Sequence, residues 1–194
     1  MATPTPRDRL IAGAAGLLAR RGLRASSVRE LAKYSGAPLG STYHYFPGGK
    51  SELAVAAVEH VNAVISRALR RELAATGPVD GLREFLALWR QIVVDSDFRA
   101  GCPVLAVAVG EPDEDDDAPP RAAARAFDDW TGILASSLRE HGADELTARQ
   151  TATLVVATIE GTVAICRAQR STTALDDIDA ALVPVLLRAI GEAG

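Results

Sequence analysis

The stretch that decides the fold is Leu39-Gly40-Ser41-Thr42-Tyr43-His44-Tyr45-Phe46, preceded by Pro38 and, further upstream, by Ser27-Val28-Arg29-Glu30-Leu31-Ala32. In a helix, Thr42 and Phe46 lie four apart and share an inward face, which leaves Gly40, Ser41, Tyr43 and His44 over the outward side. A fully buried core helix would not be so polar. Upstream, Ser27 and Glu30 have the spacing of a capping box, so a short helix with Val28, Leu31 and Ala32 inward starts there. Gly36 supplies a left-handed C-terminal cap, and Pro38 is expected at the first position of the next helix. Two short helices joined by a tight glycine-containing turn are what a helix-turn-helix requires.

The charge distribution supports that reading. Residues 1 to 50 carry eight basic side chains (Arg7, Arg9, Arg20, Arg21, Arg24, Arg29, Lys33 and Lys50) and two acids (Asp8 and Glu30), a net charge of +6. The other 144 residues carry 13 basic and 23 acidic groups, a net of −10. A basic head on an acidic body is expected to bring the head, and not the body, to a polyanion.

Outward from the head, helical periodicity persists and sustained two-residue alternation is absent, so the chain reads as all-α with about nine helices. Before the head motif, Leu10, Ala14, Leu17 and Leu18 form one stripe of a first helix ending near Arg21-Gly22. After it, an apolar pattern runs from Lys50 to about Ala75, ~40 Å of helix at 1.5 Å per residue, until Thr76-Gly77-Pro78 ends it. The following helix carries Phe85 and Trp89, which read as pocket wall or plain core. Gly101 to Gly110 encloses an apolar run that periodicity alone leaves as helix or strand. Glu111 to Pro120, six acids with three prolines, reads as a solvated loop, since the glycine and terminal glutamate of a calcium loop are missing. Three helices complete the body. One from Arg121 presents Phe127 and Trp130. The next begins at a capping box, Thr147 to Gln150, and bears Leu154, Ile159, Thr162 and Ile165. The last has Asp176, Asp177 and Asp179 in its first turn, Leu182 and Leu186 on its face and Pro184 as a possible kink.

With 48% hydrophobic and 24% charged residues the composition is that of a globular protein able to hold its core without metal or disulfide. Cys102 and Cys166 make no disulfide framework, and with no secretory leader in view a reducing cytoplasm is expected. The longest uninterrupted apolar stretch, Cys102 to Val109, is far too short to span a bilayer, so no membrane role is expected. His44, His60 and His141 are dispersed, and none has a Cys, Asp or Glu at zinc-ligand spacing. Neither a phosphate-cradling loop nor a nucleophile elbow is present, so no catalytic centre, metal or cofactor is expected. Cys102 beside Pro103 reads as a buried, inert thiol or a redox sensor.

The ordered set Ser27 to Ala32, Ser35-Gly36-Ala37, Gly40 to Phe46 and Lys50-Ser51-Glu52-Leu53 resembles the DNA-binding head of TetR-type transcriptional regulators, over roughly residues 7 to 60. Pro38 and Leu39 stand where many members have serine and lysine, and Pro47-Gly48-Gly49 is one residue longer than the usual link. Together with Gly101-Cys102-Pro103-Val104 these departures resemble the LmrA/YxaF-like branch. The resemblance implies an N-terminal helix-turn-helix domain, residues 1 to 50, that continues through a connecting helix (50 to 75) into an effector-binding and dimerisation domain, residues 51 to 194. It places Ser27, Pro38, Leu39, Gly40, Ser41, Tyr43 and His44 at the DNA, with Lys50 on a phosphate. It also implies a homodimer formed through the last two helices, with Leu154, Ile165, Leu182 and Leu186 at the interface. Phe85, Trp89, Phe127, Trp130, Ile159 and Thr162 are expected to wall a pocket for a small hydrophobic effector, with Arg90, Arg99, Gln169 or Thr162 as its polar contact. The function expected is a repressor that the effector releases from a pseudo-palindromic operator. The competing expectation is an all-α small-molecule-binding protein or enzyme that keeps the fold without operator binding.

Overall fold

The computed structural model describes residues 4–111 and 116–191, and every described element of regular structure is an α-helix. In order these are α1 (Pro6–Arg21), α2 (Val28–Tyr34), α3 (Leu39–Tyr45), α4 (Gly49–Asp95), α5 (Pro103–Ala108), α6 (Ala118–Glu140), α7 (Glu145–Gln169) and α8 (Thr173–Ala189). The long α4 is broken at Gly77, whose φ of 79° and ψ of −179° are not helical, and Pro78 follows. The two arms counted separately give nine helices among the described residues. The break falls where Thr76-Gly77-Pro78 predicts it, because glycine tolerates positive φ and proline cannot donate to the preceding turn. The run after Gly101 is resolved as helix, with Pro103 in the first turn of α5.

The chain forms two compact units, residues 1–63 with 102–126 and residues 64–101 with 127–194. In the first, Leu10, Ala14, Leu17 and Leu18 of α1, Leu31 and Ala32 of α2, and Leu53, Ala54, Ala57 and Val58 of α4 are buried. α1 meets α2 at Gly13, where an added Cβ would stand 2.1 Å from Ser35 Oγ and 2.8 Å from its Cα. The Ser35 hydroxyl donates to the Leu31 carbonyl at 2.7 Å. In the second unit Leu69, Leu82, Val93, Leu138, Val155, Cys166, Leu175 and Leu186 are buried, and burial pushes the Cys166 thiol above its usual range.

Asp97 and Phe98, after α4, take left-handed φ values of 55° and 57°, and Arg170, after α7, takes 52°. The Arg170 guanidinium donates to Asp97 Oδ1 at 2.6 Å and to the Asp97 carbonyl at 3.2 Å, and lies 5.6 Å from the Phe98 ring centre. The turn is thus clamped from the end of α7.

Several helix ends differ from the sequence reading. α7 begins two residues before Thr147: Asp144 is its cap, accepting from the Leu146 and Thr147 amides at 2.9 and 3.0 Å. The Thr147 hydroxyl donates to Asp144 Oδ2 at 2.6 Å, so the expected Thr147 capping box does not form. A carboxylate at this position serves two orphan amides and meets the positive helix end, which a hydroxyl cannot match. Pro38 is the extended N-cap of α3 rather than its first helical residue. α6 starts at Ala118, before Arg121, and α8 at Thr173, leaving only Asp176 of the three acids in its first turn. Pro184 lies inside α8, which continues through it. The sequence reading missed a capping box at α1, where Thr5 and Asp8 bond reciprocally with Pro6 at the first position. The acidic loop and its rejected calcium reading fall partly on residues 112–115, outside the described residues.

Three capping carboxylates, Asp8, Glu30 and Asp144, are held below their usual range. The causes are the hydroxyl and amide of Thr5 for Asp8, the amide and then the hydroxyl of Ser27 for Glu30, and the hydroxyl and then the amide of Thr147 for Asp144. A depressed folded-state pKa stabilises the fold above the unfolded value, and that stability is lost as pH falls through the folded one. Their contribution to the thermal midpoint is therefore expected to be level from pH 7 to about 5 and to fall below about 4.5. Asp144→Asn keeps an acceptor without the charge, so it should reduce the acid dependence seen in circular dichroism melts; an unchanged profile would count against this assignment.

Candidate nucleic-acid interface and effector cavity

The head presents one face of α3 and holds the other. Thr42 and Phe46 are both 0% exposed, while Leu39, Gly40, Tyr43 and His44 are exposed and Ser41 half-exposed. Arg7 of α1 stacks 5.2 Å from the Phe46 ring centre, and His44 and Tyr45 meet edge to face at 5.0 Å. Gly36 takes a φ of 65° in the α2–α3 turn, as its sequence position predicts. Ser27 caps α2: its hydroxyl accepts from the Glu30 amide at 3.2 Å, and its amide and hydroxyl donate to Glu30 Oε2 at 2.9 Å each. Lys50 occupies the first turn of α4, where the helix dipole favours an anion over a cation. Tyr34, at the end of α2, is also 48% exposed with its ring against Gly16, a surface aromatic that the sequence reading passed over.

Gly40 is informative because the fold does not need it. Its φ is not positive, and an added Cβ would meet nothing within 4 Å. Glycine in a helix costs up to about 1 kcal/mol relative to alanine, and packing within the chain gives no reason for it at this position.

In the second unit Phe85 and Trp89 of α4 meet edge to face at 6.4 Å, and Phe127 and Trp130 of α6 at 5.4 Å. Of the six expected pocket residues, Phe85, Trp89, Trp130 and Ile159 line one cavity, joined by Leu69, Leu134, Val156 and Glu160. Phe127 and Thr162 are not among its walls. The cavity holds about 10 Å³, the room of a single water molecule. Two larger hollows of the same unit, about 570 and 850 Å³, are open and lined in part by charged side chains such as Asp128, Glu140 and Arg83, without the apolar enclosure typical of a small-molecule site. None of the expected polar contacts lines the cavity: Arg90 donates to the Thr172 hydroxyl and pairs with Asp176, Arg99 pairs with Asp97 at 3.3 Å, Gln169 is exposed and Thr162 is buried. Glu160, 6% exposed, is the acidic wall residue that sequence reading missed. The signal was available, since Glu160 is the one charged residue between Arg149 and Arg167.

α7 is apolar enough, at a mean hydropathy of 1.3 over 18 residues, to match a membrane span by length and composition, although no single run predicted it. Only 44% of that window is buried. Leu154 and Ile165 are 47% and 46% exposed, and between them Gly161 is exposed with nothing within 4 Å of an added Cβ. Leu182 and Leu186 of α8, by contrast, are 4% and 1% exposed within the chain itself. No group of three potential metal ligands exists among the described residues.

Comparison with known proteins agrees with this geometry. Residues 10–57 match the bacterial regulatory proteins, tetR family, and residues 78–181 match the transcriptional regulator LmrA/YxaF-like, C-terminal domain. An uncharacterized HTH-type transcriptional regulator of Mycobacterium tuberculosis, Rv0196, is 37% identical over 96% of this chain and 97% of its own. The HTH-type transcriptional regulator LmrA of Bacillus subtilis is 30% identical over 94% and 97%. Among solved structures, a TetR transcriptional regulator from Legionella pneumophila superposes with a TM-score of 0.83 at 19% identity, covering 94% of this chain and 97% of that one. The chain is a helix-turn-helix transcriptional regulator and not an enzyme. It belongs to the TetR family, in the LmrA/YxaF-like branch.

Gly40→Ala is expected to raise the stability of the protein by up to about 1 kcal/mol. The same substitution should weaken DNA binding by placing a methyl group on the approaching face. Thermal melts and fluorescence anisotropy with a labelled DNA fragment read the two effects separately; a gain in both, or a loss in both, would overturn the reading of Gly40.

Proposed function

We propose that the chain is a cytoplasmic repressor that binds a pseudo-palindromic operator as a homodimer and leaves it when a small, mostly apolar effector enters the body. The observation that carries the reading is Gly40, a glycine without a structural need on the exposed face of α3, within a head of net charge +6. Pro38, Leu39, Gly40, Ser41, Tyr43 and His44 then face the major groove. Ser27 lies near the backbone and Lys50 grips a phosphate.

In this reading residues 1 to 50 form the DNA-binding domain and residues 51 to 194 the effector-binding and dimerisation domain, with the first arm of α4 as the lever between them. Leu154, Gly161 and Ile165 meet a second copy, and the small residue permits close helix approach. Leu182 and Leu186 support that interface from beneath, since they are buried in the protomer. The effector site is the cavity at Phe85, Trp89, Trp130 and Ile159, with Phe127 and Thr162 in the surrounding shell. Filling so small a cavity requires its helices to separate, and that coupling gives the effector its differential affinity. A tenfold loss of DNA affinity needs ~1.4 kcal/mol of it.

Two experiments test the reading. Lys50→Ala should weaken binding to all DNA sequences alike and lower the salt slope of binding by about one unit, measured on genomic fragments across a salt series. Leu154→Asp with Ile165→Asp alters exposed positions only, so the protein should stay folded, turn monomeric by light scattering and lose operator affinity. A folded double variant that remains dimeric would refute the proposed interface.

A further inference from the structure

Two of the side chains around the small cavity of α4, α6 and α7 are indoles, those of Trp89 and Trp130. Each residue is 3% exposed, and both Nε1 atoms are buried without a hydrogen-bond partner in the protein. An indole N–H donates and cannot accept, and burying one unpaired costs stability that a phenylalanine in the same place would not lose. The phenyl rings standing perpendicular to them, Phe85 beside Trp89 and Phe127 beside Trp130, carry no oxygen or nitrogen acceptor, and a ring face is a weak substitute for one. Glu160, the acid in the same wall, has an interaction of its own within the protein, so its charge does not set the ligand class.

We propose that Trp89 and Trp130 select an uncharged, mostly apolar effector bearing a carbonyl-type oxygen, an inference that rests on the reading of this cavity as the effector site. The oxygen accepts from a buried indole N–H, which a hydrocarbon cannot do. Leu69, Phe85, Leu134, Val156 and Ile159 offer apolar contact alone, so the rest of the molecule is held by burial. A charged group would have to leave water for these surroundings, which makes a neutral oxygen the cheaper acceptor. A site built around buried donors disfavours the analogue without an acceptor, because the N–H is then left unpaired.

The chain has only these two tryptophans, so protein labelled with ¹⁵N-tryptophan gives two indole N–H signals, both from the cavity wall. Two probes of one shape, cyclohexanone and methylenecyclohexane, differ in an oxygen against a methylene group and carry no aromatic ring to disturb those signals. Titrated into full-length protein, the ketone is expected to move at least one indole proton downfield, as hydrogen bonding does, and the alkene to move neither downfield. Trp89→Phe and Trp130→Phe, each checked for folding by circular dichroism, assign the signals. In the variant lacking the responding indole, the ratio of ketone to alkene affinity should fall about fivefold, the worth of one net hydrogen bond. Binding of the alkene alone, ketone binding without a downfield shift, or a ratio unchanged in both variants would overturn the selection while leaving an apolar effector site in place. Binding of neither probe would overturn both, making the cavity closed core.

Discussion

The head depends on one close approach, that of α1 and α2 at Gly13. Because an added side chain there would strike the Ser35 backbone, the two helices sit nearer than any other residue would allow. That distance fixes α2, the turn through Gly36 follows it, and Thr42 and Phe46 then bury one face of a helix only seven residues long. Such a helix has little stability of its own. Anchored from behind, it can keep its outward face free of structural duty.

Much of this was legible in sequence because the deciding signals are local. The Ser27–Glu30 capping box, the glycine after α2, the inward Thr42 and Phe46 and the break at Gly77 each depend on a few neighbouring residues, and each is seen in the structure. The start of α7 was misread because Asp144 and Thr147 are both good caps, and only the three-dimensional bonds show the hydroxyl donating to the carboxylate. The lining of the small cavity between α4, α6 and α7 was legible only in part. Four of its aromatic and aliphatic walls could be named from bulk and spacing, but Leu69, Leu134 and Val156 join them only through packing of helices distant in sequence. Glu160 was visible as an isolated charge in an apolar helix, a signal easily absorbed into the general run of surface acids.

α7 serves two surfaces at adjacent positions. Ile159 and Glu160 face the cavity, and Gly161, one residue further along, is exposed beside Leu154 and Ile165. If the cavity takes the proposed effector and the stripe meets the proposed second copy, a displacement of this helix reaches both surfaces, and each binding event changes the other's affinity by the same factor.

The turn at Asp97 and Phe98 has a consequence for how the sequence can change over time. Two non-glycine residues in left-handed conformations cost of order 1–3 kcal/mol each, and Arg170, itself left-handed, holds them through its bonds to Asp97 and its place over Phe98. Loss of the arginine would leave that strain without its clamp, whereas a prior change of Phe98 to glycine would remove part of it at once. Substitution along a lineage is thereby ordered: the turn must relax before the clamp can be dispensed with, and chains that keep both residues of the turn should keep the arginine too.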